Sequence, residues 1–482
     1  MALKRKTTVV KGKAKPAAKK AKPAGKPAKA VAKKPAESAR PPTVEELLQK
    51  ADRPNQESLR LHEFYRGVWE VVPKCCIRSV DDFAIWYTPG VAATCKDIQA
   101  HPEKVFQATN KWNTVAVVSD GTRILGLGNI GPEAGLPVME GKALLFKYLG
   151  GVDAVPICLD CHGAEEIITA VKWLQPSFNG VNLEDIAKPK CFEILDRLRK
   201  EARIPVWHDD QQGTAAVTVA GWINALKMVG KARDKVRITL IGAGAANINI
   251  CRMMIVAGAD PQKITFVDTK GILNKSRTDV QFSEPVKWHF ANITNGEQRS
   301  GGPAEAMAGA DVCVAVSSPG PGKIKPEWVK GMAKDAVLFA CANPIPEIWP
   351  WEAKAAGARI VATGRSDFAN QVNNSLGFPG IFRGTLDVMA TTITDEMCIA
   401  AAEELARTQE DKGMDEEHLL PTMGDWVVFP REAVAVGLKA IEQGIAQRKA
   451  DRDTLFAEAE AIIRRARRQV QVLQEKKLIR MP

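Results

Sequence analysis

The run Val236-Arg237-Ile238-Thr239-Leu240-Ile241 leads directly into Gly242-Ala243-Gly244-Ala245-Ala246-Asn247. An apolar helical stretch follows, and Ile264-Thr265-Phe266-Val267-Asp268 closes the unit. An apolar run, a Gly-x-Gly turn opening a helix and a second apolar run together predict one βαβ unit, which commits this part of the chain to a parallel sheet covered by helices. Gly242 suits the tight turn. Gly244 lets a pyrophosphate approach the backbone N–H groups where Ala245 and Ala246 open the helix, and Asp268 at the end of the next strand is placed to hold ribose hydroxyls. Asn247 stands where the fingerprint has a third glycine, whose task is helix-to-strand packing. The alternative is a turn of the same shape that binds no cofactor.

Further apolar runs, Val312 to Val316, Val337 to Ala340 and Arg359 to Thr363, alternate with helical segments as a doubly wound sheet requires. Upstream, Thr114 to Val118, Val155 to Leu159 and Ile204 to Trp207 predict strands. Residues 141–149, 165–174, 185–200 and 215–228 predict helices, and beyond Thr394 the chain is largely helical. The expectation is α/β throughout: a disordered basic tail over residues 1–42, a catalytic α/β domain over 43–232, a Rossmann-type dinucleotide-binding domain over 233–400, and a helical segment over 401–482. Thr43-Val44-Glu45-Glu46 has the spacing of a capping box where order begins.

The net charge of +11 is local. Residues 1–40 hold 14 Lys and Arg against one Glu, a net of +13, which leaves −2 on the rest. The near-neutral body does not call for a polyanionic partner. The tail, built of Lys, Ala, Pro and Gly, is too poor in apolar residues to fold and allows a weak electrostatic association with nucleic acid. No apolar run reaches the roughly 20 residues a membrane span needs, and ten cysteines scattered through core-like segments fit reduced thiols, so a cytoplasmic protein without a membrane partner is expected. Cys158-x-x-Cys161 lacks the second ligand pair a zinc site needs.

A second stretch concentrates polarity between apolar neighbours: Trp207-His208-Asp209-Asp210-Gln211-Gln212-Gly213-Thr214. Ligands in open α/β sheets collect beyond strand carboxyl ends, so this is a candidate site; a capped helix start with exposed acids is equally compatible. Glu184-Asp185 and Asp209-Asp210 are dense carboxylate groups, and two or three such groups would hold a hard cation while leaving positions for water and substrate. Adjacent acids are more often solvated charge.

Tyr87-Thr88-Pro89-Gly90-Val91-Ala92, Ser119-Asp120-Gly121-Thr122-Arg123-Ile124-Leu125-Gly126-Leu127-Gly128-Asn129 and Val138-Met139-Glu140-Gly141-Lys142 resemble the malic enzymes, particularly the small bacterial kind. So do His208 to Thr214, Ala342-Asn343-Pro344 and Asn373-Asn374, in the family's order. The resemblance implies oxidative decarboxylation of L-malate to pyruvate and CO₂ with NAD or NADP and with Mg²⁺ or Mn²⁺, in a homodimer or higher homo-oligomer. It makes Tyr87 the general acid, Lys142 the general base and Asp209 the support of Lys142. Glu184, Asp185 and Asp210 become metal ligands, Asn343 and Asn374 hold substrate with Asn343 also near the cofactor, and Arg123 clamps a malate carboxylate, as in the larger family members. Taken singly, Tyr87 would be a core aromatic, Lys142 a helix-surface charge and Asn343 a turn residue.

Gln212 stands where small members often have His. A malolactic enzyme, yielding lactate without net reduced cofactor, is the nearest alternative. A protein acting on nucleic acid through its tail is the alternative of another class. Asp268 disfavours a 2′-phosphate, while Lys270 and Lys275 are positioned in sequence to neutralise one.

Overall fold

The computed structural model describes residues 44–161 and 163–482. The basic tail, Thr43 and His162 lie outside them, and with them the nucleic-acid reading and the side chain of the expected capping box. Residues 44–54 are the opening turns of helix α1 (Val44–Tyr65), and Asn55–Pro482 form one unit, to which everything below belongs.

Helix α2 (Val91–Ala100) follows an exposed stretch, after which the chain builds a four-stranded parallel sheet. Strand β1 (Thr114–Ser119) leads through a loop into helix α3 (Pro132–Gly150), then β2 (Asp153–Cys158), helix α4 (Ala164–Leu174), β3 (Gly180–Leu183), helix α5 (Lys190–Glu201) and β4 (Val206–His208). The strand order is β2-β1-β3-β4. Val115 to Val118 are buried on both faces, which is why β1 appears in the sequence as a continuous apolar run rather than an alternating one.

Two helix boundaries differ from expectation. Helix α3 begins at Pro132, not near Gly141: proline is tolerated in a first turn, and burial of Met139, Ala143 and Phe146 carries the helix through a stretch rich in Gly and Pro. The helix expected from residue 185 begins at Lys190, because Asp185 sits in the left-handed region at φ 53° and Pro189 caps the helix start.

Helix α6 (Thr214–Val229) is buried nearly all round and links this sheet to the next. The second sheet runs β5 (Ile238–Ile241), helix α7 (Ala245–Val256), β6 (Ile264–Asp268), β7 (Gly271–Ile272), β8 (Val312–Ala315), β9 (Ala336–Ala340) and β10 (Ala358–Thr363). Its order is β10-β9-β8-β5-β6-β7, parallel except for β6 with β7. The chain reverses direction across the sheet between β5 and β8, the switch point where α/β proteins bind ligands. Helices α8 (Phe378–Asp387), α9 (Asp395–Lys412), α10 (Val428–Glu442) and α11 (Arg452–Glu475) complete the chain. Helix α9 packs back on α6, whose buried Asn224 donates to the carbonyls of Ala406 and Leu419 at 2.9 and 2.8 Å, while α8 and α11 pack on α3. Among the described residues no helix is long and apolar enough to cross a membrane.

Candidate active site

The site lies at the C-terminal ends of β1, β3 and β4. After β4 the chain makes a wide π-type turn, Asp209–Gly213, in which the Thr214 N–H donates to the Asp209 carbonyl five residues back. Such turns insert a residue into helical geometry and recur at functional sites. Here the turn points two adjacent acids in different directions. Asp209 is fully buried, its Oδ2 2.6 Å from Lys142 Nζ and also bonded to the Asn374 amide, its Oδ1 accepting from the Trp207 indole at 3.4 Å. Asp210, with a side chain 40% exposed, accepts from the Asp185 N–H at 2.8 Å.

Lys142, on the inner face of α3, is only 7% exposed. Its Nζ also lies 3.1 Å from Glu184 Oε1 and 4.3 Å from the centre of the buried Phe378 ring on α8. Burial by itself lowers the pKa of an ammonium, but the Asp209 and Glu184 carboxylates outweigh it and the net shift is upward. Lys142 is therefore held as a cation.

Glu184, Asp185 and Asp210 each bring a carboxylate oxygen within 4.8 Å of the others. Burial, reinforced by Asp210, pushes Asp185 up to about 7, and burial pushes Glu184 well above the usual carboxylate range. Asp185 Oδ2 is buried with no hydrogen-bond partner among the described residues. Three crowded carboxylates with an unsatisfied oxygen, grouped among the described residues without a nitrogen or sulfur ligand, fit a hard cation such as Mg²⁺ or Mn²⁺. The loop after β1 is fastened to this cluster: the Arg123 N–H donates to the Asp185 carbonyl at 3.0 Å, and the Leu125 N–H to Asp185 Oδ1 at 3.1 Å. Arg123 itself is exposed and has no ion-pair partner among the described residues. His208, unassigned from sequence, is buried with its Nδ1 3.6 Å from Asp210, and burial lowers its pKa.

The dinucleotide turn has the expected form. Gly242 has φ 97°, and a methyl there would meet the Val316 carbonyl at 2.6 Å; Gly244 precedes the first turn of α7, which Ala245 and Ala246 open. Asn247 is buried and donates to the carbonyls of Ile241 and Gly242, both at 2.8 Å, so it ties helix to strand by hydrogen bonds where glycine would do so by close packing. The two sheets meet here. Asn249 of α7 donates to Gln211 of the π-type turn at 3.0 Å, and a methyl at Gly126 would lie 3.3 Å from the Asn343 carbonyl.

Tyr87, which taken singly would be a core aromatic, is instead 71% exposed on the turn before α2. Lys270 is engaged with Asp279 at 3.0 Å, and the cations that face Asp268 are Arg277, bidentate at 3.0 Å, and Lys287 at 3.6 Å. Sequence spacing does not identify Arg277 as Asp268's partner, because a loop rather than a regular element joins them. Cys158 and Cys161 are free thiols, and no metal-ligating group includes them among the described residues.

The malic enzyme N-terminal domain matches residues 68–166, and the malic enzyme NAD-binding domain matches residues 211–441. The bifunctional malic/malolactic enzyme of Bacillus subtilis is 48% identical over 392 residues, 81% of this chain and 94% of that one. The chain belongs to the malic enzyme family. Two solved malic enzymes share its fold: that of Entamoeba histolytica, with 44% identity and a TM-score of 0.89 over 92% of this chain and 93% of that one, and that of Pyrococcus horikoshii, with 48% identity and 0.84 over 88% and 99%. Family membership and the Rossmann-type sheet agree with the expectation drawn from the motifs.

Proposed function

We propose that this chain oxidatively decarboxylates L-malate to pyruvate and CO₂, with NAD⁺ or NADP⁺ as hydride acceptor and Mg²⁺ or Mn²⁺ held by Glu184, Asp185 and Asp210. The carrying observation is the buried Lys142 ammonium, gripped by Asp209 beside three clustered carboxylates. Relatives named NAD-dependent, from Geobacillus stearothermophilus, and NADP-dependent, from Halomonas elongata, support a nicotinamide cofactor of either kind.

In this reading Arg123 binds a malate carboxylate, and Asn343 and Asn374 orient the substrate. Lys142 as the free amine would take the C2 hydroxyl proton, with a bound nicotinamide supplying the acceptor for the C2 hydride. Glu184 belongs to both the lysine contact and the carboxylate cluster, so engaging it with a cation weakens one of the two contacts that keep Lys142 charged. A divalent ion in the cluster supplies Lewis acidity toward the substrate's oxygens. The C3–C4 bond then breaks, CO₂ leaves, and the electron pair passes into the C2–C3 enolate. Tyr87 returns a proton to C3, and Lys142 in turn reprotonates Tyr87. Tyr87 is 71% exposed on the turn before α2, and in this reading it is supplied to the site of a second copy, in a homodimer or higher homo-oligomer.

The relative from Bacillus subtilis is named bifunctional, which favours a malolactic side activity as a second reading. Incubation with L-malate, Mn²⁺ and each cofactor is expected to give pyruvate and reduced cofactor in equal amounts. Lactate without net reduced cofactor would assign the malolactic reaction instead, and no turnover with either cofactor would overturn the proposal.

A further inference from the structure

Glu347 lies in the loop after β9, is fully buried, and makes no ion pair among the described residues. Its carboxylate is spread over two separate loops. Oε1 accepts from the Ser317 N–H at 2.8 Å and the Ser317 hydroxyl at 3.1 Å, both in the loop after β8; Oε2 accepts from the Ala342 N–H at 3.0 Å, directly after β9. The same two loops are joined again by their backbones: the Gly320 N–H donates to the Ile345 carbonyl, and the Ile324 N–H to the Glu347 carbonyl, each at 3.1 Å. Burial raises the Glu347 pKa against the pull of these donors. A buried carboxylate without a cation is costly, and one that only filled space would be replaced by an apolar side chain at no loss.

What the two loops carry explains the expense. Val316 and Ser317 form the surface against which Gly242 packs: a methyl at Gly242 would meet the Val316 carbonyl at 2.6 Å and Ser317 Cβ at 3.4 Å. Ala342 immediately precedes Asn343, whose carboxamide lies against Gly364 and whose carbonyl lies near Gly126 of the first sheet's loop. Glu347 thus fastens the support of the dinucleotide turn to Asn343, the residue proposed to hold substrate.

We infer that Glu347 is a positioning residue that sets Asn343 against the dinucleotide turn, so that cofactor and substrate affinity depend jointly on its two sets of hydrogen bonds. The inference rests on the assignment of Asn343 and the Gly242–Asn247 turn to substrate and cofactor. Glutamine has the same shape but offers an NH₂ where one set of backbone donors needs an acceptor, so Glu347→Gln loosens one loop from the other. Because hydrogen bonds to charged groups are the strong ones, KM for malate and for the nicotinamide cofactor should each rise about tenfold, with kcat within about threefold of the parent's. Ser317→Ala removes only the hydroxyl donor, keeps the protein folded, and should move both KM values in the same direction by about two- to threefold.

The test is steady-state kinetics with malate, Mn²⁺ and each cofactor, together with tryptophan-fluorescence titration of NAD⁺ and NADP⁺ and thermal melting of each variant. Parent-like KM values and cofactor affinity in Glu347→Gln would overturn the inference. So would a fall in melting temperature or kcat with both KM values unchanged, since that describes a merely structural residue. Absence of malate turnover in the parent protein would instead count against the proposed function, while the fluorescence titration would still report on Glu347.

Discussion

Asp209 and Asp210 are neighbours in the chain with opposite surroundings. Asp209 has both oxygens taken by Lys142, Asn374 and Trp207 in a fully buried setting, whereas Asp210 is partly open and grouped with Glu184 and Asp185. Asp210→Asn is therefore predicted to raise the Mn²⁺ concentration for half-maximal activity by at least the roughly tenfold that loss of even an outer partner causes. Asp209→Asn should leave that requirement near the parent's and lower kcat by about a hundredfold or more, because the base loses its anchoring charge. Mn²⁺ activation curves of the two variants decide the matter, and a common shift in metal requirement would refute the division of roles. The polarity of this stretch is legible in the sequence. Its division is not, because which way each carboxylate faces depends on the π-type turn, and nothing in residues 209–213 announces an i to i+5 hydrogen bond.

The elements differ in how far sequence reveals them. Strands such as β1 and β9, buried on both faces, stand out as apolar runs, and the turn at Gly242 is recognisable because strand and helix flank it. Asn247 departs from the glycine pattern, and its substitute hydrogen bonds become visible only once the end of β5 is in place. Helix α3 is hidden by its prolines and glycines, since propensity is local and the burial that overrides it is not. The π-type turn offers the clearest test at this scale. Gly213 has φ −68° and ψ −50°, which alanine adopts without strain, yet an added methyl would lie 2.0 Å from Asp209 Oδ1. Gly213→Ala should therefore act on the site through contact alone, displacing Asp209 from Lys142. The expected result is a loss of about 1–3 kcal/mol in stability from overpacking, with a fall in kcat that exceeds what the melting temperature accounts for. Full activity in a variant that melts normally would show that Asp209 can shift without consequence.

Across the unit from Asn55 to Pro482, the feature that a single chain leaves unexplained is the stretch around Tyr87. Val71, Val80, Phe83, Ile85 and Trp86 are all at least about half exposed, a concentration of apolar surface that soluble chains keep for a partner. The loop beside the carboxylate cluster also exposes Leu125 and Leu127. If a second copy covers these surfaces and brings its Tyr87 to Lys142, the two residues work in trans, and variants of one should complement variants of the other. Tyr87→Phe and Lys142→Ala are each expected to be nearly inactive alone. In a mixed dimer, the chain that keeps Lys142 receives Tyr87 from the chain that lacks the lysine, so one of its two sites is intact. Random pairing of equal amounts makes half of the dimers mixed, and about a quarter of the parent activity should return after the subunits exchange. If Tyr87 and Lys142 had to come from one chain, no combination of the two variants would contain an intact site. The mixture would then stay as inactive as its components, however completely the subunits exchanged.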